Sequence, residues 1–466
     1  MAGAIWSYVD RRMAEATWST SCTVHGGKGP HEQDLHHACG SGRVQDLRGA
    51  IDQLMGIARG LKARRVKGGA LELESVEVKV QLSETKSIEN LNPKQHLEIH
   101  DTIAECMIIA NHWVAKKIAE VFPNQALLRH HPLPKEEQFA NLHHCAMSRG
   151  FEVRTSTNKI LASSLDQCVD PEDPTVNKIM RMLATHAMSN AAYFCTGILA
   201  HDQFFHYGLA LDLYTHFTSP IRRYADIIVH RQLLAAVARV GDTLNLPNCT
   251  ELDNLSHHIN KKHRSSQYVQ RESQELFQCL YFLSHGTEDE NCVVNAIIFQ
   301  LRLNGLPVFI PRYGIKCPVY LRSKQGDVLY LPDTGSPVWS SGQLIKQNTH
   351  IIVDSVLGQQ KYDLLNHITV KLSLQDSWAH ASSLRLELVS NMPLKKPAAS
   401  MEDVAKQTKA SIIQEVTSEA VEKRLQLESY DLGPNFQQLK QEYGQSTSSL
   451  YKLFSELKTT AMKSVT

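Results

Sequence analysis

Residues 214–231, YTHFTSPIRRYADIIVHR, set two arginines directly behind a Ser-Pro pair. Arg222 and Arg223 carry guanidinium forks, which grip a phosphate in a bidentate way that lysine cannot. Thr215, Thr218 and Ser219 add hydroxyl donors just ahead of them. Ser219 suits an N-cap and Pro220 the first helical position, so the spacing predicts a helix starting there. A helix N-terminus exposes unpaired N–H groups and the positive end of the helix dipole, which favours an anion, phosphate above all. Ile221, Tyr224, Ala225 and Ile228 fall on one apolar stripe, while Arg222, Asp226 and His230 recur every four residues on another face. Spacing leaves a second reading open, in which Arg222 simply pairs with Asp226 one turn on.

Carboxylate and metal chemistry is harder to place. Magnesium needs several oxygen ligands converging in a small octahedral cage. Asp166, Asp170 and Asp173 in SLDQCVDPEDP form the nearest cluster, in a Pro-containing loop, and Glu288, Asp289 and Glu290 read as a solvated linker. Cys22, His25, His36, His37 and Cys39 lie at intervals that miss the paired-ligand zinc knuckle. His143, His144 and Cys145 are adjacent, so they point in different directions on any regular element. No Walker loop, GxGxxG, HExxH or GxSxG occurs, which removes support for nucleotide, dinucleotide and common hydrolase readings.

The elements that must position these residues are read from period and punctuation. With 466 residues, 42% hydrophobic and 21% charged, the chain is long enough for two or three ordinary globular domains. A net charge of +1 gives no global pull on a polyanion, so any such site has to be built by local clustering. Ten dispersed cysteines without CxxC, and no apolar run near membrane-spanning length, suit a reducing compartment, with cytosol the default and the nucleus open.

Residues 1–42, rich in Gly and His, read as a flexible leader. VQDLRGAIDQLMGIARGLKARR from residue 44 has helical spacing and ends before Gly68-Gly69, and LELESVEVKVQL alternates as a half-buried strand does. HDTIAECMIIANHWVAKKIAEVF returns to helix, ending near Pro123. Further helices are expected over 174–200, 221–240 and 254–284. From 287 to 395 short β-rich runs such as CVVNAIIFQLRL, LPVFIPRY and HITVKLSL, broken by Gly, Pro and Asp turns, predict a small antiparallel barrel. Residues 396–466 are polar, with amphipathic helical spacing over 401–426 and 435–463.

The segment YTHFTSPIRRYADIIVHR, preceded by HYGLAL, closely resembles the most diagnostic stretch of the RNB (RNase II) exoribonucleases. IHDTIAECMIIANHWVAKKI, ALLRHHPLP and AMSNAAYF carry similar family texture, and IPRYGIKCPVYL resembles the OB-fold barrel that follows the RNB domain. Among members the chain looks most like the Dis-three-like, exosome-associated exonucleases. The resemblance covers residues 43–395 and implies an α+β chain: part of an RNB domain over 43–284, an OB-fold (ribosomal S-one-type) barrel over 287–395, and a helical tail. It implies 3′-to-5′ hydrolysis of single-stranded RNA to nucleoside monophosphates, with magnesium bound by aspartates. It assigns Arg222 to a phosphate near the scissile bond and Glu105 to the 3′-terminal ribose, and the local chemistry adds Arg223, Thr218 and Ser219 as RNA-binding candidates beside them.

The resemblance lacks the DIDDA-like aspartate segment, the preceding cold-shock barrels and the PIN domain that docks exosome-associated members. The expectation is a family member truncated on its N-terminal side and inactive in metal-dependent hydrolysis by itself. In the barrel, Phe309, Tyr313 and Tyr320 could stack bases or fill the core, and Arg302, Arg312, Lys316 and Arg322 add positive charge. A non-catalytic RNA-binding or scaffold isoform, gripping a partner through the C-terminal helices, is the alternative.

Overall fold

A computed structural model of the chain describes residues 41–394, apart from 73–77, 84–87, 94–96, 238–245, 285–289, 333–335 and 376–382. The leader with its Cys and His residues, the acidic run 288–289 and the tail helices expected after 401 lie outside the described residues.

Helix α1 (Ser41–Lys67) stops as its sequence requires: Gly69 turns the chain at a φ of 101°, in the left-handed region open to glycine. It pairs with α2 (Glu98–Val121) through Ile51 and Ile99 and through surface ion pairs such as Arg59 with Glu98. Between them β1 (Val78–Leu82) and β2 (Ile88–Pro93) form an antiparallel hairpin. Beyond α2, β3 (Leu127–His130) pairs antiparallel with β4 (Ala192–Cys195), with Arg129 opposite Tyr193. Helices α3 (Ala140–Ser148), α4 (Asn158–Gln167) and α5 (Thr175–Ala187) lie between these strands in sequence. The helix expected over 174–200 therefore ends at Ala187. The Ala-Tyr-Phe-Cys segment after it is drawn into pairing with β3, a tertiary partner outranking local helical spacing. Helix α6 (Tyr224–Val237) and the 36-residue α7 (Cys249–Ser284) complete the helical part.

The barrel is closed in the order β13-β14-β7-β6-β5. Its strands are β5 (Val293–Ile298), β6 (Gly305–Ile310), β7 (Ile315–Tyr320), β13 (His367–Gln375) and β14 (Ser383–Ser390). Every neighbouring pair is antiparallel except β14 with β7, whose parallel contact at Leu386 and Val319 closes the cylinder. The β5–β6–β7 approach is so tight that a Cβ on Gly305 would stand 2.2 Å from the Val319 carbonyl oxygen. Between β7 and β13 the chain builds a hairpin, β8 (Val328–Tyr330) with β9 (Val338–Ser340). A three-stranded sheet follows, from β10 (Gly342–Lys346), β11 (His350–Ser355) and β12 (Gly358–Asp363).

One apolar core runs from α3, α4 and α5 into the barrel, joining Leu142, Leu161 and Met180 to Val308 and Val370. Polar contacts reinforce that boundary: Arg149 donates to the Leu365 carbonyl at 2.9 Å, and His367 meets Asp173 at 2.6 Å. A second core, formed by Ala115, Ile118, Leu127, Phe194, Ile228 and Val229, lies beneath the Ser-Pro-Ile-Arg-Arg segment.

Candidate nucleic-acid interface

The segment ahead of α6 is held from three sides. Asn111 of α2 donates to the Tyr214 hydroxyl at 3.0 Å and accepts from the Phe217 N–H at 2.8 Å, clamping both ends of a four-residue span. The Arg129 N–H of β3 donates to the Tyr214 carbonyl at 2.8 Å, and the Thr215 hydroxyl, fully buried, donates to the Leu127 carbonyl at 2.8 Å. His230 of α6 lies flat against Phe217, ring centres 4.2 Å apart, and bonds its carbonyl at 2.7 Å. Thr215 is thus committed to β3 and is not an open donor.

The expected helix start is displaced. Residues 220–222 form a turn and α6 begins at Tyr224. The cap is supplied from inside the helix: Asp226, 0% exposed, accepts from the Ser219 N–H at 2.7 Å. The same carboxylate takes both Nε and Nη2 of Arg223, at 2.7 and 2.8 Å. Asp226 therefore chooses Arg223 over Arg222. Ile221, expected in the buried stripe, is 74% exposed, and Tyr224 is exposed with it. Arg222 projects into solvent with no side-chain partner among the described residues. The Thr218 and Ser219 hydroxyls beside it are half-buried and make no hydrogen bond with a described residue. The turn thus presents one open cation and two open donors together.

Behind the turn is a group the sequence did not single out. Tyr193 of β4 shares a 2.5 Å hydrogen bond with His216, and the Arg129 guanidinium stands 4.7 Å from the Tyr193 ring centre. Asn260 of α7 fixes Tyr193 by bonding its backbone N–H and carbonyl, each at 2.8 Å, which lays α7 across this wall and brings in His263. His206 arrives through the HYGLAL motif: a 3₁₀ turn at Tyr207–Leu209 and left-handed Ala210, φ 54°, fold it onto His131 and Leu211. Burial pushes His216 down to about 2, helped by Arg129, Arg223, His206 and Arg222, and His206 down to about 3, helped by His131 and Arg129. Burial, with Arg129 and Arg223, also lowers His263. The wall is therefore positive through arginine, with its histidines held neutral.

Other expected residues fall elsewhere. Glu105 is buried and held bidentately by Arg65 of α1, so its oxygens already have a partner where a ribose contact was expected. Tyr313 is 0% exposed, its hydroxyl on the Asn291 carbonyl at 3.0 Å, and Phe309 is buried as well. Both belong to the apolar core: Tyr313, in the turn between β6 and β7, packs against Tyr281 and Phe282 of α7, and Phe309 is buried on β6. Tyr320, 50% exposed, is the one of the three open to a base. Arg302 and Gly305 close the β5–β6 hairpin, and Asn304 bonds Leu321, so Arg302, Tyr320 and Arg322 gather at one end of the barrel. Arg312 lies at the opposite end of β7, in the β6–β7 turn, bonded to Asn291 at 2.6 Å.

The aspartates of SLDQCVDPEDP diverge. Asp166 pairs with Arg181 at 2.6 Å, Asp170 accepts from the Glu172 N–H at 3.0 Å, and Asp173 holds Thr175 and His367. Among the described residues no group of three or more His, Cys, Asp or Glu side chains could hold a metal ion. These donors do not fit magnesium. No helix among the described residues is long and apolar enough to cross a membrane.

The sequence profile of the RNB domain matches residues 26–239, reaching back beyond the boundary at 43 drawn from the resemblance. The chain is 35% identical over 337 residues to the probable exosome complex exonuclease RRP44 of Caenorhabditis elegans, covering 72% of this chain and 33% of that one. It is 36% identical over 350 residues to the exosome complex exonuclease RRP44 of Homo sapiens, covering 74% and 34%. The chain thus spans about a third of the length of these curated relatives. In fold it is similar to Mycoplasma genitalium RNase R, with a TM-score of 0.57 at 18% identity over 71% of this chain and 48% of that one. It is also similar to yeast Ssd1, described as a pseudonuclease, with a TM-score of 0.52 at 22% identity over 74% and 51%. The match over residues 26–239 and the relatives that share it identify that stretch of the chain as an RNB domain.

Proposed function

We propose that the chain binds single-stranded RNA as RNB 3′-to-5′ exoribonucleases do, with Arg222 on a backbone phosphate and the barrel end at Arg302, Tyr320 and Arg322 on the strand. The observation that carries this reading is Arg222, without a side-chain partner among the described residues, on a turn that Asp226 and Asn111 hold rigid, beside two hydroxyls that no described residue engages. A guanidinium held ready at low conformational cost is what phosphate positioning asks for. The chemistry of the reading is RNA decay by release of nucleoside monophosphates with magnesium, as the resemblance implies, and an exosome partnership of the kind the relatives' names carry. Its setting is the cytoplasm, with the nucleus open. By itself the chain holds RNA without cutting it: its nearest acidic cluster, Asp166, Asp170 and Asp173, is engaged with Arg181, the Glu172 N–H and His367 and offers magnesium no converging carboxylates.

That engagement also favours a second reading, a non-catalytic RNA-binding or scaffold protein. Both are tested by following a 5′-labelled single-stranded RNA with magnesium or manganese, with binding measured on the same sample and Arg222→Ala alongside. The expected outcome is binding without shortening, weakened about tenfold in Arg222→Ala, the size of one charge-assisted contact. Stepwise shortening lost in the variant would return the enzyme reading to this chain, and no RNA binding at all would leave only the scaffold.

A further inference from the structure

Arg129 is only 9% exposed, yet no carboxylate lies within ion-pair distance of it among the described residues. The contrast with its peers is direct: Arg65, Arg181 and Arg223 are each less buried, and each pairs with a carboxylate, Glu105, Asp166 and Asp226 respectively. Its neighbours are the Tyr193 ring and groups that are neutral or positive, with Arg223 close enough to disfavour its charge. Asp226, the acid of this wall, is already used by Arg223 and the Ser219 N–H. A cation buried without an anion is strongly disfavoured, and the histidines around it cannot supply negative charge. Arg129 also lies on the strand that bonds Tyr214, the start of the segment leading to Arg222.

We propose that Arg129 is a second phosphate-binding residue of this interface, taking another backbone phosphodiester of the strand that Arg222 holds; the inference rests on the RNA reading above. The phosphate supplies the missing counter-charge, and the Tyr193 ring keeps the guanidinium plane oriented for a bidentate contact. Tyr193 is in turn fixed by Asn260 and His216, so Arg129 is held by three elements.

The test is a scan of single-stranded RNAs, each with one neutral methylphosphonate linkage, by fluorescence anisotropy. The full chain is compared with Arg129→Gln, Arg129→Lys and Arg222→Ala, with thermal melts to confirm folding. Wild type is expected to lose about tenfold at two linkages. Arg129→Gln loses its sensitivity at one of them and Arg222→Ala at the other. An Arg129→Gln profile identical to wild type at unchanged affinity would overturn the proposal while leaving Arg222 and the RNA reading intact. No RNA binding by wild type would instead remove the RNA reading itself. Should Arg129→Gln fail to fold, Arg129→Lys decides: a loss confined to RNA carrying a charged phosphate at one linkage supports the assignment, and an equal loss on every RNA overturns it.

Discussion

At the scale of single residues, the interface is organised by what Asp226 does. A fully buried carboxylate next to two arginines can satisfy one bidentately, and in doing so it ties down Arg223 and releases Arg222. The histidines behind them give the wall a pH signature. His206 and His216 have folded values of about 3 and about 2, below the ordinary histidine value, because burial disfavours their charged form. The unfolded chain therefore takes up protons first as pH falls. Their contribution is neutral above about pH 6.5 and becomes a growing loss below it, down to the folded values. At pH 5 the loss is on the order of 2 kcal/mol for His206. Urea unfolding at pH 7.5 and pH 5 should show the midpoint falling in acid, and a flat profile would contradict the burial of these rings.

At the scale of elements, the barrel divides its basic residues between its two ends. Arg302, Tyr320 and Arg322 gather beside the β5–β6 hairpin, whereas Arg312 is separated from them by the six residues of β7, roughly 17 Å. Replacing Arg302 and Arg322 together by alanine should weaken RNA binding by about tenfold, and Arg312→Ala should change it by less than about twofold. Filter binding at fixed salt separates the two cases, and equal losses would mean that RNA runs along the barrel's whole length. Strand β14 shows why the barrel was only partly readable. SLRLELVS carries its alternation as clearly as the other strands, but the parallel pairing of Leu386 with Val319 that closes the cylinder joins residues far apart in sequence. The shortened helix after Pro174 has the same cause in β4.

At the scale of the whole molecule, a net charge of +1 means that RNA affinity has to come from a few local cations. Roughly two to four phosphate contacts, from Arg129, Arg222 and the barrel end, give a slope of log affinity against log salt between about −1.4 and −2.8. Titrations from 50 to 200 mM salt should find roughly a seven- to fiftyfold loss. A slope near zero would remove electrostatic binding, and one much steeper would point to a broader basic surface than these residues make. The continuous core from α3, α4 and α5 into β5 and β6 adds that barrel and helices respond to destabilisation together.

The sequence by itself determined the helices around Gly69 and Pro123, and the barrel's presence and most of its strands. These rest on periodicity, turn residues and side-chain type, all of which are local. Tertiary structure alone decided that Asp226 takes Arg223 and leaves Arg222 open, that Glu105 pairs with Arg65, and that Tyr313 is buried while Tyr320 is exposed. It alone joined Arg129 to Tyr193, His216 and α7. An isolated arginine after two leucines carries no local mark of its partners. Its charge acquires meaning only when burial removes water and the surrounding elements fail to supply an anion.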